Sequence, residues 1–265
     1  MPLAELAAYL GIGAVVGFLA GLLGIGGGLI IVSSLALMFA AHGFPPPYIM
    51  HLALGTSLAA IIAGAWSSFR THHKHGAVDW SIVKTMVPGL FAGVLAGVVV
   101  ARFVPTGALK TVFLFFLGVI TITMVFDVKP SARRALPGPN GVRAWGVAIG
   151  AASSLFGGGA AAIGVPLFTW CSMTVHRAIG TCAAMGFFLA IAGTVGYAIA
   201  GWSVPGLPEW SVGFVYLPAF VGISAASVLT APFGARLAHK LRGPTLRRIF
   251  ALFLIATGIK LAISV

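Results

Sequence analysis

Only four acidic residues occur in the 265-residue chain, Glu5, Asp79, Asp127 and Glu209, and each falls near the end of an apolar run. No carboxylate is therefore on offer at membrane depth, where cation carriers and carboxylate proton relays normally keep one. The same lack leaves no acid–base pair for an enzyme within the membrane, and no nucleophile or metal set recurs there, so the chain reads as a non-enzyme. Cysteine is nearly missing too. Cys171 and Cys182 stand in apolar sequence without metal-ligand spacing and read as buried thiols, with no metal and no other cofactor implied. Charge of either sign makes up 8% of the residues against 59% hydrophobic, which excludes an ordinary soluble domain and marks a polytopic protein of the lipid bilayer. The net charge of +12 would suit nucleic acid in a soluble chain, but here the cations lie between apolar runs. Membrane orientation accounts for them, and no nucleic-acid partner is implied. A secretory leader would need a basic start, yet Glu5 is the only charge before Arg70, so the first apolar run is expected to stay as structure.

Glycine, by contrast, is abundant, with 36 copies. Eight apolar segments can be drawn, at 7–41, 48–69, 82–101, 109–126, 143–173, 178–201, 211–235 and 246–264. The first and fifth each exceed 30 residues, too long for one untilted helix across a hydrocarbon core of about 30 Å. Each holds a glycine cluster, Gly24-Ile25-Gly26-Gly27-Gly28 and Phe156-Gly157-Gly158-Gly159. Adjacent glycines weaken a helix by roughly 1 kcal/mol each and leave its backbone open to a ligand. Matched broken helices in two halves of a membrane protein point to a transport site.

The halves repeat in order. After the glycines come His51-Leu52-Ala53-Leu54-Gly55-Thr56-Ser57 in one half and His176-Arg177-Ala178-Ile179-Gly180-Thr181-Cys182 in the other. Further on, Pro88-Gly89 matches Pro218-Ala219, and Ala101-Arg102 matches Ala235-Arg236. The expected organisation is a first membrane repeat over 1–126, a basic cytoplasmic linker over 127–142 and a second membrane repeat over 143–265.

Charge orients the repeats. If all eight segments cross once, Lys and Arg divide 8 to each side and no bias is left. If segments one and five return to the side they started from, thirteen of the sixteen gather on one side, leaving Arg102, Lys110 and Lys260 on the other. The positive-inside rule then makes the crowded side cytoplasmic and puts both termini outside. Each half crosses an odd number of times, so the repeats are inverted. The expected fold is an all-α integral membrane protein of two inverted-topology repeats, each with a long Gly-broken or re-entrant first segment followed by three transmembrane helices.

Helix halves that begin at a glycine break expose free N–H groups and the positive end of a dipole, which suits an acceptor-only oxyanion. The expected substrate-binding residues are Gly26, Gly27, Gly28, Thr56, Ser57, Gly157, Gly158, Gly159 and Thr181. Glycine clusters also serve close helix packing, and Ser or Thr hydroxyls also bond to their own helix carbonyls, so both readings stand beside the first. His51 and His176 occupy equivalent repeat positions. They read either as interfacial residues at helix starts or as a protonation or anion-contact pair. His72, His73, Lys74 and His75 have the composition of a metal tract but read as a solvated loop near anionic lipid.

The glycine breaks, the Ala53-Leu54-Gly55-Thr56-Ser57 segment, the later Gly234-Ala235-Arg236 and the two-copy order resemble the sulfite exporter TauE/SafE family, also called the toluene sulfonate uptake permease family. The resemblance covers nearly the whole chain. It implies a bacterial-type plasma (inner) membrane carrier for a small sulfur-containing anion such as sulfite, thiosulfate or an organosulfonate. The family's proline past the glycines is met by Pro166, whereas the first half has Ser33-Ser34. Alternating access is the expected mechanism, an anion channel or passive facilitator is the alternative, and a homo-oligomer is compatible with the sequence.

Overall fold

The computed structural model describes residues 3–23, 27–126, 135–238 and 243–264. The described residues are mostly helical: α1 (Leu3–Leu23), α2 (Gly28–Ala41), α3 (Ile49–Lys74), α4 (Trp80–Phe103), α5 (Thr106–Val125), α6 (Pro139–Phe156), α7 (Ala161–Trp170), α8 (Val175–Gly201), α9 (Leu217–Ala238) and α10 (Gly243–Ser264). Among the described residues, α3, α4, α5 and α8 are long and apolar enough to cross a membrane. This is an all-helical membrane protein. The first and fifth apolar segments are each divided at their glycines, giving α1 with α2 and α6 with α7. At 1.5 Å per residue, α2 and α7 reach only about 21 and 15 Å, short of the bilayer core.

Local chemistry sets the ends. The Asp79 carboxylate accepts from the Ser81 and Ile82 amides and caps α4, Pro139 sits in the first turn of α6, and Gly157 in the left-handed region closes it. The seventh segment departs from a continuous helix. Its first six residues form a small hairpin, β1 (Ser211–Val212) paired antiparallel with β2 (Val215–Tyr216), because Gly213 turns the chain at φ +56° and lets Phe214 bury.

Helices α1–α5 and α6–α10 follow the same order: a helix, a glycine break, a short helix and three long ones. The most extensive packing is between α1 and α9 and, in the same relative order, between α6 and α4. Helix α3 lies along α8 in the opposite direction. Gly55 near the start of α3 meets Tyr197 near the end of α8, Leu58 meets Gly193, and Thr181 near the start of α8 meets Asp79 just past the end of α3.

Glycines spaced by four let these backbones touch. A Cβ on Gly89, Gly93 or Gly97 of α4 would overlap backbone or side-chain atoms of α6, and one on Gly146 or Gly150 would meet α4 in return. Gly13 and Gly17 of α1 rest on Ile223 and Ser227 of α9 in the same manner. Small residues are the means by which membrane helices approach without a hydrophobic driving force. Gly93→Leu is expected to cost upward of about 2 kcal/mol and to lower the melting temperature in detergent. Gly118→Leu, which faces open space, should melt with the parent; equal melting of all three would show that this seam does not hold α4 to α6.

Candidate functional site

The two glycine breaks abut. Gly27 stands at φ 65° just before α2 and Gly157 at φ 65° just after α6, a region that side-chain-bearing residues rarely adopt. A Cβ on Gly28 would overlap the Gly157 carbonyl and reach the Gly158 Cα, and one on Gly157 would strike Val32 and Leu54. Of the expected glycines, Gly27, Gly28, Gly157 and Gly158 are thus brought together, and Gly159 follows in the same turn. Gly26 lies outside the described residues.

The polar groups at this junction are unequally satisfied. The Ser153 carbonyl at the end of α6 accepts from the Gly157 amide at 2.9 Å, and the Ser154 carbonyl accepts from the Tyr197 hydroxyl at 2.9 Å. Two of the last four carbonyls of α6 thus have donors. The amides of Gly28, Leu29, Gly158 and Gly159 take no backbone acceptor among the described residues. Free amides at the starts of α2 and α7 carry partial positive charge and leave donors for an anion.

Ser57 is fully buried and donates to the Gly28 carbonyl at 3.2 Å, so it braces the break. Thr56 and Thr181 do something the sequence did not suggest. The Thr56 hydroxyl oxygen accepts from the Tyr216 amide at 2.9 Å, and the Thr181 oxygen accepts from the Asp79 amide at 3.0 Å. The preceding glycines match: Gly55 lies on the Phe214 carbonyl and Gly180 on the Ala77 carbonyl, two residues before the amide in each case. Each Gly-Thr pair is a latch. The glycine admits a loop that leads into α9 or α4, and the threonine takes that loop's amide. One latch sits at each end of the antiparallel α3–α8 pair. Both threonines keep their own O–H proton for donation.

The two ends differ in chemistry. Asp79 also pairs through Oδ2 with Arg177 at 2.9 Å. Tyr216, its counterpart, instead joins an aromatic cluster with Tyr9, Phe39 and Phe44, at centroid distances of 6.0, 5.8 and 5.1 Å. The two histidines diverge as well. His51 is buried, with Nε2 2.8 Å from the Ala101 carbonyl and its ring 4.9 Å from that of Phe214, whereas His176 is exposed. They do not form a matched pair.

Sequence reasoning missed Ser153 and Tyr197. Ser153 is fully buried one turn before Gly157, and its hydroxyl has no partner among the described residues. The signal was the Ser153-Ser154 doublet running straight into Phe156-Gly157-Gly158-Gly159. Among the described residues no group of His, Cys, Asp and Glu could hold a metal ion.

Comparison with known proteins finds a family and several relatives. The family model described as Sulfite exporter TauE/SafE matches residues 9–261. A probable membrane transporter protein of Haemophilus influenzae is 36% identical over 253 residues, covering 94% of this chain and 95% of that protein. A probable membrane transporter protein of Methanocaldococcus jannaschii is 27% identical over 225 residues, covering 83% and 79%. One of Bacillus subtilis is 27% identical over 194 residues, covering 70% and 76%. No solved structure matches the chain.

The latches make a direct prediction. Thr181→Val leaves the Asp79 amide without its acceptor and is expected to destabilise by about 1–3 kcal/mol, read as a lower melting temperature. Thr56→Val should do the same through Tyr216. A variant pair that melts with the parent would remove the latches from the account.

Proposed function

Since the chain belongs to the sulfite exporter TauE/SafE family, whose relatives here are named as probable membrane transporters, we propose that it carries a small sulfur-containing anion, sulfite, thiosulfate or an organosulfonate, by alternating access. The observation that carries this reading is the abutment of Gly27 and Gly28 on Gly157 and Gly158, with four amides at the junction lacking backbone acceptors among the described residues. Sulfur oxyanions accept hydrogen bonds and do not donate them, so donors without a carboxylate suit them. The substrate site consists of those four amides, of Gly28, Leu29, Gly158 and Gly159, and Ser57 braces it. Thr56 and Thr181 act from the latches. His51 supports the α4–α5 corner through the Ala101 carbonyl rather than by contacting the anion.

The repeat architecture belongs to the same proposal. Two units, 1–126 and 143–265, joined by a basic linker, are inverted relative to one another. The reading is supported by equivalent helices α3 and α8 running antiparallel and by the reciprocal seams of α1 on α9 and α6 on α4. Inverted units fit a carrier whose two ends open in turn better than a pore with one permanent path. The membrane is the bacterial-type plasma membrane, with the basic loops inside and both termini outside.

Thermal shift of the detergent-purified protein with sulfite, thiosulfate, a short sulfonate and sulfate tests the reading. One sulfur anion is expected to stabilise, by about 2.7 kcal/mol at a hundredfold excess over Kd. Gly28→Ala, whose Cβ overlaps the Gly157 carbonyl, should abolish the shift. Ser153→Ala should weaken binding about tenfold while the ligand-free protein melts at or above the parent, because an unpaired buried hydroxyl is a cost. Stabilisation by none of the four anions, or an unchanged shift in Gly28→Ala, would refute the site.

A further inference from the structure

We propose that Arg177 is a docking point for the incoming oxyanion at the basic end of the molecule, and that the Asp79 carboxylate occupies it as a tethered competitor. This rests on the anion-transport reading above. Asp79 does three jobs with three different atoms. Its amide donates to Thr181, its Oδ1 accepts from the Ser81 and Ile82 amides, and its Oδ2 meets Arg177. The first two hold the latch and cap the helix. Neither needs the third.

The opposite end shows that the ion pair is surplus to the architecture. There the same Gly-Thr latch closes on Tyr216, with Leu52 in the position equivalent to Arg177, and among the described residues no ion pair joins that latch. The ion pair also adds little stability where it sits. The Arg177 side chain is 56% exposed and that of Asp79 21%, and water screens ion pairs at such sites so that they contribute little.

The chemistry of Arg177 suits an exchangeable anion. A guanidinium presents five N–H donors in a planar fork that fits a carboxylate and a sulfur oxyanion alike. Its partner among the described residues is Asp79, through one nitrogen, and the side chain as a whole is more than half exposed. Lys74 ends α3 at the same end of the molecule and adds a second permanent positive charge, while His72, His75 and His176 gather there as further polar groups. Asp79 is the carboxylate of this group. A basic mouth of this kind concentrates anions and raises their association rate. An oxyanion that takes the Arg177 fork releases Oδ2.

Asp79→Asn separates these roles. Asparagine caps a helix as well as aspartate and keeps the amide that donates to Thr181, so the variant loses only the competing charge. Sulfite and thiosulfate exchange is measured in proteoliposomes with parent, Asp79→Asn, Arg177→Gln and Arg177→Lys. The expected result is a KM about fivefold lower in Asp79→Asn, about tenfold higher in Arg177→Gln and intermediate in Arg177→Lys, which keeps the charge but not the fork. Added inert salt should raise the parent KM more than that of Arg177→Gln. A merely structural ion pair predicts the opposite sign for Asp79→Asn, a lower melting temperature with unchanged or poorer KM, and that result overturns the inference. Exchange of neither anion by the parent would instead sink the transport reading on which it rests.

Discussion

A backbone that stops being helical inside a membrane must find partners for its freed N–H and C=O groups, since lipid offers none. That constraint organises this protein. Two helices break at glycines, and the breaks are pressed together so that Gly28 lies on the Gly157 carbonyl while the Gly157 amide and the Tyr197 hydroxyl donate to the Ser153 and Ser154 carbonyls. Among the described residues, the amides of Gly28, Leu29, Gly158 and Gly159 take no backbone acceptor. These are the donors on which the proposed anion site rests, in a chain with no carboxylate inside its apolar runs.

The same accounting explains the Gly-Thr pairs. Loops leading into α4 and α9 arrive against α8 and α3 with an amide to satisfy, and in each case a threonine hydroxyl receives it beside a glycine that makes the approach possible. One geometric solution is used twice, at opposite ends of an antiparallel helix pair. The elaborations differ: a carboxylate and a guanidinium at one end, a cluster of Tyr9, Phe39, Phe44 and Tyr216 at the other.

Much of this was legible in the sequence, because it depends on local composition. Segment length and clustered glycines located both helix breaks, and charge scarcity marked the membrane. Family membership followed from the ordered motifs around Gly55-Thr56-Ser57 and Gly180-Thr181. The partners of those motifs were not legible. Thr181 meets Asp79 and Thr56 meets Tyr216 across more than a hundred residues, and no periodicity encodes such pairings. Ser153 escaped because a serine among small residues looks the same whether its hydroxyl is paired or not. The hairpin at 211–216 was hidden by its apolar composition, since Phe214 and Val215 continue the hydropathy of α9 while Gly213 turns the chain away from it. His51 and His176 looked equivalent by position, yet one is enclosed by Phe214 and Tyr48 and the other is exposed.

Counterflow tests the central claim, a saturable anion site shared by two ends that open in turn, most directly. Proteoliposomes preloaded with unlabelled sulfite, and in parallel with thiosulfate, are diluted into tracer amounts of the labelled anion. The account predicts transient accumulation of label above its equilibrium level, driven by exchange through one site. A steady anion conductance with no such overshoot would contradict it and make the glycine junction part of a pore.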